Sequence, residues 1–226
     1  MGGATATTGQ TARCRGCGAE APAGATCPAC GRLQPFPPGA DHWTVLGLDR
    51  RLDLDRTDLE RRFHALNRRF HPDYFRLQAP DEQAVSLENS AAVNAAYRAL
   101  RDPVARVEYL LERSGLGTAG QARPPADLFE EIMEVQEARE ELELAGPEAA
   151  PGLRARLADA RRELEDRQAR TETELTRLFP AWDAAGDEER RGLLGRMRDL
   201  LATRAYLRTV LRDVTGALEA SGARAD

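Results

Sequence analysis

A helical apolar repeat that runs into a proline fixes the organisation of this chain. Leu59, Phe63, Leu66 and Phe70 recur at helical spacing and fall within roughly 60° of one another around the helix axis. The repeat stops at Pro72, which lacks an N–H and biases the residue before it away from helical backbone angles. A second helical pattern starts near Asp81. His71, Pro72 and Asp73 are therefore expected on a short exposed loop at the end of an antiparallel helical hairpin. Arg61 and Arg68 point away from the apolar face, with Arg62 and Arg69 on one shoulder. The helix over 56–70 thus has a basic outer face.

The same periodicity extends in both directions. A short helix over 41–48 ends at Gly47, and a helix over 82–101 turns Ser90, Val93, Tyr97 and Leu100 inward. A fourth begins at Asp102-Pro103, carries Val104, Val107, Leu110 and Leu111, and ends at Gly115. Gly117, Gly120, Pro124 and Pro125 mark a linker over 116–125. Three further patterns, over 126–144, 152–178 and 187–220, predict an antiparallel three-helix bundle across 126–226. The joins are Gly146-Pro147 and the stretch from Pro180 to Gly186. Leu193, Met197, Leu200, Leu207, Leu211, Val214 and Leu218 form the seam of the last helix, and Arg204 interrupts it and is expected to snorkel outward. Hydrophobic residues make up 42% of the chain but aromatics only 5%, a balance that suits helical cores of Leu, Val and Ala. The expected fold class is all-α.

In front of the hairpin, residues 1–13 read as a disordered leader without the apolar run of a secretory signal. All four cysteines follow, as Cys14-x-x-Cys17 and Cys27-x-x-Cys30. A segment this short, 14–40 with its proline-rich end, cannot bury a core of its own. Two such knuckles offer four thiolates in tetrahedral array, which suits a structural zinc ion. Two disulfides are the alternative, and a redox dithiol pair is a weaker one because no βαβ pattern surrounds it. Nothing else points to export, so the cytoplasm is the expected location.

Charge narrows the partners. The chain carries a net −5, and residues 126–144 alone hold eight acids and one arginine. This excludes a general attraction for nucleic acid, and no apolar run of ~18 residues spans a membrane. On the helix over 126–144, Leu128, Ile132, Val135 and Leu142 share the core face. Phe129 and Met133 lie roughly 100° and 140° from Leu128, beside Glu130, Glu134, Glu137 and Glu141. An apolar pair ringed by acids fits a protein-binding face, and equally fits packing on a neighbouring helix. His71 and Asp73 lack a nucleophile, a third triad member or a glycine-rich anion loop, so no enzyme constellation is present.

The arrangement of a basic amphipathic helix, His71-Pro72-Asp73 and a longer helix carrying Tyr97 and Leu100 resembles the J-domain of DnaJ-like co-chaperones. The stretches over 41–48 (DHWTVLGL), 71–75 (HPDYF) and 90–111 (SAAVNAAYRALRDPVARVEYLL) resemble the HscB family, the co-chaperone of iron–sulfur cluster assembly. The cysteine module resembles the N-terminal zinc module that some members carry. The resemblance implies that His71, Pro72 and Asp73 stimulate the ATPase of an HscA/DnaK-type chaperone. It implies also that Arg61, Arg62, Arg68 and Arg69 meet an acidic surface there. Phe129, Met133, Glu134, Glu137 and Glu141 are the implied contacts to an IscU-type iron–sulfur scaffold protein. Three positions depart from the family pattern. Tyr74 replaces a common Lys, Glu130 stands where many members are apolar, and residues 196–200 lack the family's aromatic.

Two rivals accompany this expectation: a general J-protein with another client, and a zinc-knuckle nucleic-acid binder, which the charge disfavours. The role of the knuckle stays open between chaperone contact, support of the hairpin and homodimer formation.

Overall fold

The computed structural model describes residues 11–117, 126–146 and 148–222, with the backbone alone at 126–128, 130 and 131. It is mostly helical, with one two-stranded sheet. Two compact units divide the chain, Met1–Arg106 and Val107–Asp226. The expected linker lies outside the described residues from 118 to 125.

The first unit opens with a hairpin. Strand β1, Thr11–Arg13, pairs antiparallel with β2, Glu20–Pro22. The leader assignment is therefore corrected at residues 11–13. The first knuckle's turn brings Thr11 opposite Pro22, and Cys14 N–H donates to Ala19 O at 2.8 Å. The rest of the leader lies outside the described residues. Helix α1, His42–Leu46, starts at Asp41, whose carboxylate accepts the Thr44 N–H at 2.7 Å, and stops at Gly47 with φ 65°. Asp55 caps α2, Arg56–Arg69, in the same way. After a single 3-10 turn, Pro72–Phe75, helix α3 runs Pro80–Arg101, and α4, Pro103–Ser114, begins in the first unit and ends in the second. A proline stands in the first turn of each of these three elements, where its missing N–H costs nothing.

Leu59 of α2 and its C-cap Phe70 are buried, whereas Phe63 and Leu66 are half-buried, and the Phe63 ring stacks on Tyr97 at 4.0 Å. The inner face of α3 differs from the expected one. Val85, Ser86, Asn89, Val93, Ala96 and Leu100 are buried, and Ser90 is only half-buried. Ser86 and Asn89 are polar, yet each finds backbone partners from a distant stretch of chain, which is what allows their burial.

In the second unit, α5 (Ala126–Leu144), α6 (Ala150–Arg177) and α8 (Asp187–Gly222) pack against one another. Their shared core holds Ile132, Val135, Ala138, Leu142, Leu157, Leu164, Leu207, Val210 and Val214. Three sequence readings change here. The join after α6 contains a further helix, α7 (Phe179–Ala184), because Pro180 sits in its first turn and Phe179 and Trp182 are buried. Arg190 holds it from α8, donating to Trp182 O at 3.0 Å with its guanidinium over the indole ring. The seam of α8 uses Leu194 and Leu201, leaving Leu193 and Leu200 half-buried. Arg204 does not snorkel into solvent; its Nε donates to Glu172 Oε1 at 2.6 Å, pairing α8 with α6. Among the described residues, no helix is long and apolar enough to cross a membrane.

Candidate functional site

Three features stand out: the turn between α2 and α3, the outer face of α5 and the cysteine cluster. The turn is built by its own side chains. His71 Nδ1 accepts the Asp73 N–H at 3.3 Å, capping the 3-10 turn, and Asp73 pairs with Arg76 at 2.8 Å. From α3, the Ser86 hydroxyl donates to Phe70 O at 2.9 Å and Gln83 donates to Gln78 O at 2.8 Å. The turn is thus fixed from behind and open in front. The side chains of His71 and Asp73 are 50% and 57% exposed, so neither is committed to the interior. Ser86→Ala would leave the Phe70 carbonyl without this donor in a buried site. We expect a loss of about 1–3 kcal/mol, read as a lower urea midpoint at unchanged slope.

An open cleft of about 400 Å³ lies beside the turn, lined by His64, Asn67, Arg68, His71, Asp73 and Tyr74. The sequence reading did not select His64 and Asn67. The available signal was that Asn67 and Arg68 stand three and four residues after His64, and positions three and four apart share a helix face.

The four expected arginines are not equivalent. Arg61 and Arg62 both bond the Asp58 carboxylate, and Arg62 also donates to Gly47 O. These two guanidiniums hold Asp58 below the usual carboxylate range. Arg62 is half-buried in this role. Arg68 is exposed and makes no ion pair among the described residues. The Arg69 guanidinium lies 5.6 Å from the Phe70 ring, where desolvation lowers its pKa.

On α5, Ile132, Val135, Ala138 and Leu142 are buried, as a core seam requires. Phe129 and Met133 remain 58% and 40% exposed, so the bundle does not cover them. Glu134, Glu137 and Glu141 are exposed as well. Glu141 sits 3.8 Å from Arg156 of α6, whereas Glu134 and Glu137 make no ion pair among the described residues. The side chains of Leu128 and Glu130 lie outside the described residues. Gln136, Glu140 and Leu144 continue the outward stripe begun by Phe129 and Met133, with Leu144 almost fully exposed. The sequence reading stopped short of Glu140 and Leu144, although their helical spacing from Met133 placed them on that face.

The ligand atoms of Cys14, Cys17, Cys27 and Cys30 all lie within 4.8 Å of one another. The Cys14–Cys30 sulfurs are 3.5 Å apart and the Cys17–Cys27 sulfurs 3.8 Å. Four sulfurs bound tetrahedrally at about 2.3 Å sit about 3.8 Å from one another, so this cluster can hold a metal ion. The Gly16 N–H and the Gln34 side-chain amide each reach Cys14 Sγ at 3.3 Å. Backbone N–H groups of Cys17 and Gly16 draw the Cys14 thiol down to about 6. At Cys30 the Arg32 N–H acts in the same sense, but desolvation and the neighbouring sulfurs push the thiol up to about 12. One thiolate opposes the next, and a divalent cation among them removes that opposition.

No protein-family model matches the chain. A co-chaperone protein HscB homologue from Bordetella petrii is 37% identical over 129 residues, which cover 56% of this chain and 75% of the relative. The fold is that of two solved structures. Human co-chaperone protein HscB aligns with a TM-score of 0.67 and 24% identity, over 90% of this chain and 97% of the human one. Chaperone HscB from Vibrio cholerae aligns with a TM-score of 0.56 and 22% identity, over 80% and 98%.

Proposed function

Because the chain belongs to the HscB co-chaperone family, we propose that it binds an IscU-type iron–sulfur scaffold protein and delivers it to an HscA/DnaK-type chaperone. On this reading it stimulates that chaperone's ATPase during iron–sulfur cluster assembly, and itself makes and breaks no bond. The observation that carries the reading is the His71-Pro72-Asp73 turn, braced by α3 and open to solvent. Its exposed face carries Arg68 and Arg69, with Arg61 farther along α2, and these form the basic contact to the chaperone. Arg62 acts mainly by tying α2 to Gly47. An acidic, water-exposed partner surface gains from such a patch chiefly in association rate.

Phe129 and Met133 form the apolar centre of the scaffold-binding face, with Glu134, Glu137 and Glu141 as its acidic rim. An exposed apolar pair with a charged border has the anatomy of a protein interface. The chain then acts twice: it shifts the chaperone's conformational equilibrium through the turn, and it raises the local concentration of client. The assay that tests the reading is single-turnover ATP hydrolysis by a DnaK-type chaperone with this protein added. Absence of acceleration would contradict it. We place this activity in the cytoplasm.

We assign zinc to Cys14, Cys17, Cys27 and Cys30 as a structural ion, since four protein ligands complete its shell. We expect the purified chain to hold a single ion that Cys27→Ser loses, read by elemental analysis. Binding displaces thiol protons, so affinity should fall as pH falls below the thiol range. A metal content that survives Cys27→Ser would contradict the assignment.

A further inference from the structure

The cysteine cluster is joined to the exposed turn by an unbroken run of contacts. Gln34, only 4% exposed, donates its side-chain amide to Cys14 Sγ, and its backbone carbonyl accepts from Asn89 Nδ2 at 3.0 Å. Asn89 of α3 is 1% exposed, and its Oδ1 accepts the Phe36 N–H at 3.2 Å. The Phe36 ring meets the Phe70 ring edge-on at 5.5 Å. Phe70 is fully buried, immediately precedes His71, and gives its carbonyl to Ser86. The ring of Phe36 is seated on the module itself: a Cβ at Gly24, which has φ +63°, would fall 2.3 Å from it.

We propose that Phe36 and Asn89 are positioning residues for the His71-Pro72-Asp73 turn, kept in place by the metal-bound cysteine module. This rests on the reading of that turn as the chaperone-stimulating element. A module used only as a separate handle would need no more than a flexible join. Here both ends of a buried amide on α3 are spent on the join's backbone, and an unpaired buried amide is costly. The residues that follow, Pro37 and Pro38, stiffen the connection. The module is too small to fold without its ion. Loss of the ion therefore frees Gln34 and Phe36, uncovers Phe70 and leaves Asn89 unpaired directly behind the turn.

The test is amide hydrogen exchange on the full chain, with zinc, after chelation and after zinc is restored. Chelation should speed exchange over residues 68–78 by roughly tenfold, leave α6 and α8 unchanged, and lower chaperone stimulation in step. Asn89→Ala should already exchange faster there, and chelation should add little to it, because both changes break one connection. Two effects that simply add, or exchange over 68–78 that ignores the metal, would overturn the proposal. If Asn89→Ala does not fold, Gly24→Ala serves, since it displaces the Phe36 ring and leaves the cysteines intact. His71→Gln separates the two claims. Normal stimulation by that variant would overturn the chaperone reading on which the proposal stands. Metal-blind exchange beside an inactive His71→Gln would overturn this proposal alone.

Discussion

His71→Gln should lower stimulation of the chaperone ATPase by roughly tenfold or more while leaving the fold and scaffold binding intact. The asymmetry follows from where His71 sits. Its side chain is half exposed, and its structural bond is to Asp73, whose N–H Nδ1 accepts at 3.3 Å. A glutamine can still accept the N–H, and surface substitutions of this kind stay within about 0.5 kcal/mol of neutral. The imidazole's lost task is therefore at the partner. A protein shifts another's equilibrium only by contacts that differ between the partner's two states. A group presented on a braced turn can make such contacts, because the turn does not yield when it is pressed. Removing the ring takes away that difference in affinity, and each 1.4 kcal/mol of it is about tenfold in rate or population. The comparison is single-turnover hydrolysis at saturating co-chaperone, alongside a melting curve.

Phe129→Ala combined with Met133→Ala should weaken scaffold binding by about 2–4 kcal/mol, or roughly thirtyfold to a thousandfold in Kd. Both side chains stand outside the α5–α6–α8 core, so the bundle should keep its thermal midpoint. Large apolar side chains at the centre of an interface carry most of its energy, whereas charges at the rim act mainly on association. Glu137→Ala should accordingly show its effect in the association rate and in a flatter salt dependence. Calorimetry with wild-type and double-variant chains reads the loss of affinity, and stopped-flow association at several salt concentrations reads the Glu137 effect. Equal affinities would remove α5 from the client site.

The helices were legible because apolar periodicity ran between the boundaries set by Gly47, Pro72, Pro103 and Gly115, and the structure adds the aspartate caps at Asp41 and Asp55 and the first-turn Pro80. The exposed turn was legible for the same reason, since Pro72 ends one pattern and the next starts only near Asp81. What escaped were elements whose cause is not periodic. Strands β1 and β2 are three residues each, too short for alternation to register. Helix α7 was mistaken for a join because Pro180 was read as a breaker and not as a first-turn residue. Ser86 and Asn89 look like surface residues in a linear pattern. They are buried because Phe70, Gln34 and Phe36, from other stretches of chain, complete their hydrogen bonds. Arg204 likewise stays in the seam because Glu172 on α6 neutralises it. Among the candidate site residues, the sequence put Phe129 and Met133 off the core face and left open whether a neighbouring helix covers them; the bundle leaves both exposed. The sequence could not separate Arg62, which bonds Gly47 O, from Arg68, which is open to solvent.

The central claim, one molecule joining a client to an ATP-driven chaperone through two separate surfaces, is tested most directly by the chaperone's steady-state ATPase as scaffold protein is titrated in. The wild-type chain should give stimulation that rises steeply with scaffold. Met133→Ala with Glu137→Ala should keep the scaffold-independent part and lose that rise. Superimposable curves for the two chains would contradict the account.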